Sequence, residues 1–247
     1  MKTALICPPH LLEKYASQTK YHLALPHLFR LEKYQEFYQT KSDDGDFVIL
    51  DNGAAEGFAY GAKHILTLAD LINADEVVVP DAMGDANETL ALAQYFARYA
   101  KPDHQYMFVI QGTTMEEVLF CLRALDNGNS FMYVTTLGIP RHLYYIEPTA
   151  RAQITEWLIR ENFHLRYDIH FLGANPWMDE PTVLNDLTTG LEGFRGMDTS
   201  LPIYMGLEGR RIDVADQYMQ RPEDFFTRTD DNPMVQVNIN KYLSWFE

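Results

Sequence analysis

One pattern constrains what this 247-residue chain can fold into more than any other. Short β-branched or aromatic runs, each ending in a small or acidic residue, recur about every 25 to 35 residues, and each precedes a longer stretch of helical composition. The runs are Phe47-Val48-Ile49-Leu50-Asp51, Glu76-Val77-Val78-Val79-Pro80-Asp81, Tyr106-Met107-Phe108-Val109-Ile110-Gln111-Gly112, Phe131-Met132-Tyr133-Val134-Thr135-Thr136 and Ile169-His170-Phe171-Leu172-Gly173. Their continuous apolar character fits strands covered on both faces, as in a parallel sheet. Between them, Ala62 to Ile72, Ala86 to Tyr99, Met115 to Leu125 and Thr149 to Asn162 carry apolar residues at three- and four-residue steps, as Leu90, Ala93, Ala97 and Ala100 do. That spacing lays one apolar stripe along a helix.

Parallel strands need crossover connections, so repeated strand-helix units imply a parallel sheet with helices outside it. The chain length suits a closed (β/α)8 TIM barrel, an α/β fold of about 250 residues, better than an open doubly wound sheet. Further strands are expected near Tyr21 to Leu25, Gly196 to Thr199 and Val235 to Ile239. No Pro/Gly/Ser-rich linker interrupts residues 1–247, which predicts a single domain, and a 47% hydrophobic content is enough to fill its core.

Charge narrows the function classes. With 35 Asp+Glu against 20 Lys+Arg the net charge is −15, and it stays negative with all eight histidines protonated. A polyanion binder built on a broadly basic surface is thereby excluded. Cys7 and Cys121 are too few for a disulfide framework or a four-cysteine zinc site, and they read as reduced thiols. The opening apolar run is too short for a signal peptide, and no stretch approaches the roughly 18 apolar residues of a membrane span, so a cytoplasmic protein without membrane contact is expected. Phosphate-loop and nucleophile-elbow fingerprints are absent from the sequence. Asp168 and His170 share one face of a strand at metal-ligand spacing, but with no third ligand nearby His170 reads as a hydrogen-bonded core histidine.

Polar residues stand where the apolar runs stop: Asp51, Asp81, Gln111 and the Gly138 turn Leu137-Gly138-Ile139-Pro140. In a barrel, the C-terminal ends of the strands form the active-site face, so these groups converge. Asp81 competes with Asp85 for capping the next helix, and Asp51-Asn52-Gly53 has the composition of an ordinary turn. Together they outline a polar pocket for a planar heterocycle: an Asp accepts from adjacent N–H groups, a Gln donates to a carbonyl, and a glycine turn exposes backbone. Guanine has that pattern of donors and acceptors.

Leu50-Asp51-Asn52-Gly53, Val79-Pro80-Asp81, Ile110-Gln111-Gly112, Phe171-Leu172-Gly173 and Asp198-Thr199-Ser200-Leu201-Pro202 resemble, in order and approximate spacing, the motifs of the tRNA-guanine transglycosylases (queuine tRNA-ribosyltransferases). The resemblance covers residues 47 to 202 and implies a (β/α)8 enzyme that swaps guanine in a polynucleotide for a 7-deazaguanine. It implies Asp198 as nucleophile and Asp51 as the residue handling protons on the bases. Asp81 and Gln111 would read the guanine edge, Leu137 and Gly138 would offer backbone contacts, and Leu172, with Gly173 beside it, would pack on the base. Two displacements at C1′, the first by a carboxylate and the second by the incoming base, retain stereochemistry, and a second carboxyl must shuttle the proton.

The tRNA enzymes also carry a C-terminal zinc site of three cysteines and a histidine, which this chain lacks, and an aromatic residue where Ala55 stands here. Phe58 or Tyr60 is the substitute stacking surface to look for. A short, zinc-free chain is similar to the phage and bacterial branch that installs 7-deazaguanines in DNA, with no metal and no cofactor. On that reading the partners are DNA, whose target base must leave the stack, and the incoming 7-deazaguanine. Arg210 and Arg211, with Arg221 and Arg228, would touch phosphates, or else pair with nearby Asp213 and Glu208. Competing readings are a non-catalytic barrel that binds a base or a protein partner, a tRNA-acting transglycosylase, and a barrel glycosidase acting on small nucleosides.

Overall fold

The computed structural model describes residues 1–127, 133–174, 180–214 and 219–246. Eight parallel strands alternate with helices. The strands are β1 (Lys2–Leu5), β2 (Tyr21–Ala24), β3 (Phe47–Leu50), β4 (Glu76–Val78), β5 (Gln105–Val109), β6 (Val134–Pro140), β7 (Asp168–Leu172) and β8 (Phe194–Thr199). They are followed in turn by α1 (Leu12–Tyr15), α2 (Glu32–Asp43), α3 (Ala62–Leu71), α4 (Ala86–Phe96), α5 (Met115–Asn127), α6 (Ala150–Arg160), α7 (Glu180–Thr188) and α8 (Leu201–Leu207), and α9 (Met234–Leu243) comes last. The ladder runs β2-β3-β4-β5-β6-β7-β8-β1, which makes the fold a nearly closed (β/α)8 barrel.

The helices form where the apolar stripes are. Ile65, Leu66 and Ala69 of α3 and Val118, Cys121, Leu122 and Leu125 of α5 are buried against the sheet. Truncating one such leucine or isoleucine to alanine costs about 2–5 kcal/mol. Helix α4 starts at Asp85, whose carboxylate accepts from the Glu88 N–H at 2.9 Å. Because Asp85 is the cap, Asp81 is left for other work. Both cysteines are buried and free, and burial raises both thiols above their ordinary range.

Two expectations about strands need correction. Val235 to Ile239 lies in helix α9, not in a strand. Val235, Val237 and Ile239 alternate as in a strand, but Val237 is 50% exposed, and the buried set Val235, Asn238, Ile239 and Tyr242 follows helical spacing. Gly206 of α8 makes that packing close: a Cβ there would lie 2.4 Å from the Val235 Cα. The missing strand is β1, whose apolar run is short and leads into one turn of helix rather than a long amphipathic one. Phe131 and Met132, the start of one expected strand, lie outside the described residues, and β6 begins at Val134.

The ring is not completed by backbone. β1 and β2 lie side by side, but among the described residues no ladder joins them. The carbonyls of Lys20 and Ala24 accept from β3-side N–H groups, which turns the alternate Leu23 and Leu25 groups toward β1. Buried tyrosines of α2 take them instead: Tyr38 donates to the Leu23 carbonyl at 3.3 Å, and the Leu25 N–H donates to Tyr34 Oη at 2.9 Å.

Candidate active site

A cavity of about 300 Å³ opens at the C-terminal ends of the strands, within the size range of small-molecule sites. Its apolar lining includes Leu23, Val78, Val109 and Leu172; Asp51, Glu56, Asp81, Gln111 and Asp198 supply polar groups. Four strand ends, those of β3, β4, β5 and β8, thus bring the expected carboxyls and amide together.

Asp51 follows β3 and is buried. Its Oδ2 accepts from the Gly53 N–H at 3.1 Å, in a turn that Gly53 closes with φ +79°. Burial pushes its carboxyl well above the usual carboxylate range, and the charges of Glu56, Asp198 and Asp81 push the same way. Asn52 donates to the Val79 carbonyl at 2.8 Å and to Asp81 at 2.5 Å, tying the β3 loop to the end of β4. Asp81 also accepts from Gln111, and burial raises it to about 6 although both amide donors oppose the shift.

On the far side, Asp198 near the end of β8 accepts at Oδ1 from the Gly173 N–H (2.9 Å) and from His170 Nε2 (3.2 Å). Its Oδ2 has no partner among the described residues. Gly173 adopts φ +70°, and its carbonyl accepts from the buried Arg151 at 2.7 Å, so the peptides on both sides of Gly173 are held, one by Asp198 and the other by Arg151.

Compared with protein-family models and with curated proteins, the chain has no match.

Several expected roles change. Leu137 and Gly138 lie inside β6, not in a turn; the Gly138 carbonyl accepts from Ile110 N–H, and a Cβ on Gly138 would sit 2.8 Å from Leu172 Cδ1. The strand runs four residues further than expected, to Pro140 rather than Thr136, and Pro140, Arg141 and His142 reach the cavity instead. Gln111 has both ends of its amide bonded, the nitrogen to Asp81 and the oxygen to the Gly84 N–H. Arg210 and Arg211 do not line the cavity, and Arg211 pairs with Asp213 at 2.7 Å. Arg228 pairs with Glu208 and Asp230, whereas Arg221 lines the cavity and pairs with Glu56 at 3.1 Å.

Glu56 was not singled out in the sequence. It is partly exposed, but its Oε2 is buried without a partner among the described residues, and burial raises its carboxyl against the pull of Arg221. Its position in the glycine-rich Gly53-to-Gly61 loop was the available signal. Phe58 and Tyr60 do not line the cavity; Tyr145, 84% exposed, and Tyr204 do. Phe58 belongs to an adjoining groove of about 690 Å³ that shares Glu56 and Arg221 with the cavity. There His27, Phe58, Tyr60 and His64 form a column of near-parallel rings with centroids 5.1–5.7 Å apart. Among the described residues, no cluster of His, Cys, Asp and Glu could hold a metal, and no helix is long and apolar enough to cross a membrane.

Proposed function

We propose that this chain is a guanine transglycosylase that acts on DNA in the cytoplasm and exchanges guanine for a 7-deazaguanine base through a covalent glycosyl-Asp198 intermediate. The observation that carries the reading is the pairing, in one cavity, of two carboxyl groups in different settings. Asp198 has one oxygen fixed by two donors and the other without a partner among the described residues, and Asp51 is buried so that its protonated form is favoured.

In the first half-reaction Asp198 Oδ2 bonds to C1′ as the C1′–N9 bond breaks, and Asp51 gives its proton to the departing guanine. In the second, the N9 of the incoming base attacks C1′, the ester to Asp198 breaks, and Asp51 takes the N9 proton. Two inversions retain the configuration, as in retaining glycosidases. Asp81 accepts from the N–H groups of the base edge, and Leu172 packs on the base. The adjoining groove, lined by the guanidinium groups of Arg30, Arg221 and Arg228, supports a polymer substrate over a free nucleoside, since cations along a groove track a nucleic-acid backbone. The net charge of −15 fits weak, salt-sensitive DNA binding at that strip rather than over the whole surface.

Exchange of labelled guanine and 7-deazaguanines into DNA and tRNA tests the proposal. Incorporation into DNA, lost in Asp198→Ala, is expected, with a denaturation-resistant DNA adduct that forms only when Asp198 is present. Failure to exchange into either polymer at saturating base overturns it, and exchange into tRNA alone moves the substrate to RNA.

A further inference from the structure

The barrel interior below the cavity contains a polar chain that none of the assigned roles uses. Glu76, fully buried on β4, forms an ion pair with Arg195 of β8 and accepts from Thr136 of β6. Arg195 Nε donates to Tyr21 Oη at 3.0 Å, Tyr21 Oη is 2.7 Å from His170 Nδ1, and His170 Nε2 is 3.2 Å from Asp198 Oδ1. Arg195 and Asp198 are three apart and would face opposite sides of a regular strand. The register of β8 on β7 slips by one residue there, with Phe194 opposite Ile169 and Gly196 opposite His170, and this bulge turns both side chains inward.

The two ends of the chain set its direction. A guanidinium can only donate, so Tyr21 accepts from Arg195 and has its single proton left for Nδ1; a carboxylate can only accept, so Nε2 must carry the hydrogen that meets Asp198. We infer that His170 is a positioning residue for Asp198, held in the neutral Nε2–H tautomer by Tyr21 and Arg195, so that one carboxylate oxygen is fixed and the other is presented to the sugar. The inference rests on the proposed role of Asp198. Burial lowers the imidazole below its ordinary value, which fits a neutral ring.

Two measurements on the full chain test it. In 15N-labelled protein, the His170 ring is expected to show a protonated Nε2 and an unprotonated Nδ1, and Tyr21→Phe is expected to produce a mixture of tautomers. For exchange, His170→Leu is expected to lower kcat about 10- to 100-fold with KM for the base unchanged, the range usual for a group that acts by orienting another. His170→Gln, whose amide nitrogen can reach the same carboxylate, is expected to restore most of the loss. An Nδ1–H tautomer or an imidazolium in the wild type overturns the inference, as do equal kcat values for His170→Leu and His170→Gln. If the wild type exchanges into no polymer, the transglycosylase reading fails, while the ring assignment still decides the direction of the hydrogen bonds.

Discussion

Gln111 donates its side-chain amide to the carboxylate of Asp81 and, with the other end of the same group, accepts from the Gly84 N–H at 2.9 Å. The sequence placed it as a reader of the base; the structure makes it first a brace for Asp81, the proposed reader. Gln111→Ala leaves Asp81 short of a donor and orphans the Gly84 N–H, a loss of about 1–3 kcal/mol. The expected outcome is a rise of about tenfold in KM for the base with a smaller change in kcat, measured by steady-state exchange. A kcat effect that exceeds the KM effect would place Gln111 at the reacting atoms instead.

Asp81 ties stability to pH. Its folded-state value of about 6 lies above the ordinary aspartate value near 3.9, so between roughly pH 4 and 6 the unfolded chain gives up this proton before the folded one. The sign follows: its contribution to stability falls as pH rises through that window and then levels off, by on the order of 2–3 kcal/mol at most. Urea titrations from pH 4 to 7 are expected to show a smaller fall for Asp81→Asn than for the wild type. Parallel curves would mean that Asp81 titrates at its ordinary value in the fold.

On the proposed mechanism, Asp51 sets the alkaline side of activity. Burial raises its carboxyl, and its role in the first step requires the proton, so kcat for base release is expected to fall as pH climbs through its folded-state value. Asp51→Asn cannot transfer the proton and is expected to lose about 10²- to 10⁴-fold and to flatten that limb. A full pH–rate profile of both proteins measures this, and an unchanged limb in the variant would assign it to another group.

The Glu76–Arg195 pair lies inside the barrel with almost no solvent contact. Removing Glu76 leaves the Arg195 guanidinium with only a longer ion pair, 3.4 Å to the half-exposed Asp168, and Glu76→Leu is expected to destabilise the fold by about 3–5 kcal/mol. The double variant Glu76→Leu/Arg195→Met removes both charges and is expected to recover much of that loss, read from urea midpoints at neutral pH. Losses in the two single variants that simply add in the double would show that the pair does not act as a unit.

The barrel was legible where one periodicity held along a whole element. The apolar runs at Val48, Val77 and Phe108 and the stripes of α3 and α5 could be read from spacing alone. It was illegible where the same residues satisfy two periods, as at Val235 to Ile239, and where an element is too short for either, as at Lys2–Leu5. In the cavity, Asp51 and Asp81 could be found because each ends a strand run, and Asp198 through the resemblance carried by its Asp198-Thr199-Ser200-Leu201-Pro202 segment. His170, Tyr21 and Arg195 could not be linked, because they come from three strands far apart in sequence and meet through a bulge with no local signature. The end of β6 was misplaced for a related reason: Gly138 suggests a turn, whereas it serves close approach of Leu172 and Met107 inside the strand.

At the junction of β1 and β2, the β2 groups that face β1 are taken by the hydroxyl groups of Tyr34 and Tyr38, and among the described residues no ladder crosses the joint. Seven joints of the ring are therefore zippers, whose strength is distributed along a strand, and the eighth is an unzipped seam. Slow deuterium uptake at the other joints and faster uptake at the seam would be its signature, and Tyr34→Phe would leave the Leu25 N–H without its acceptor. A ring with one such joint can open there and reclose without losing the register of its other strands.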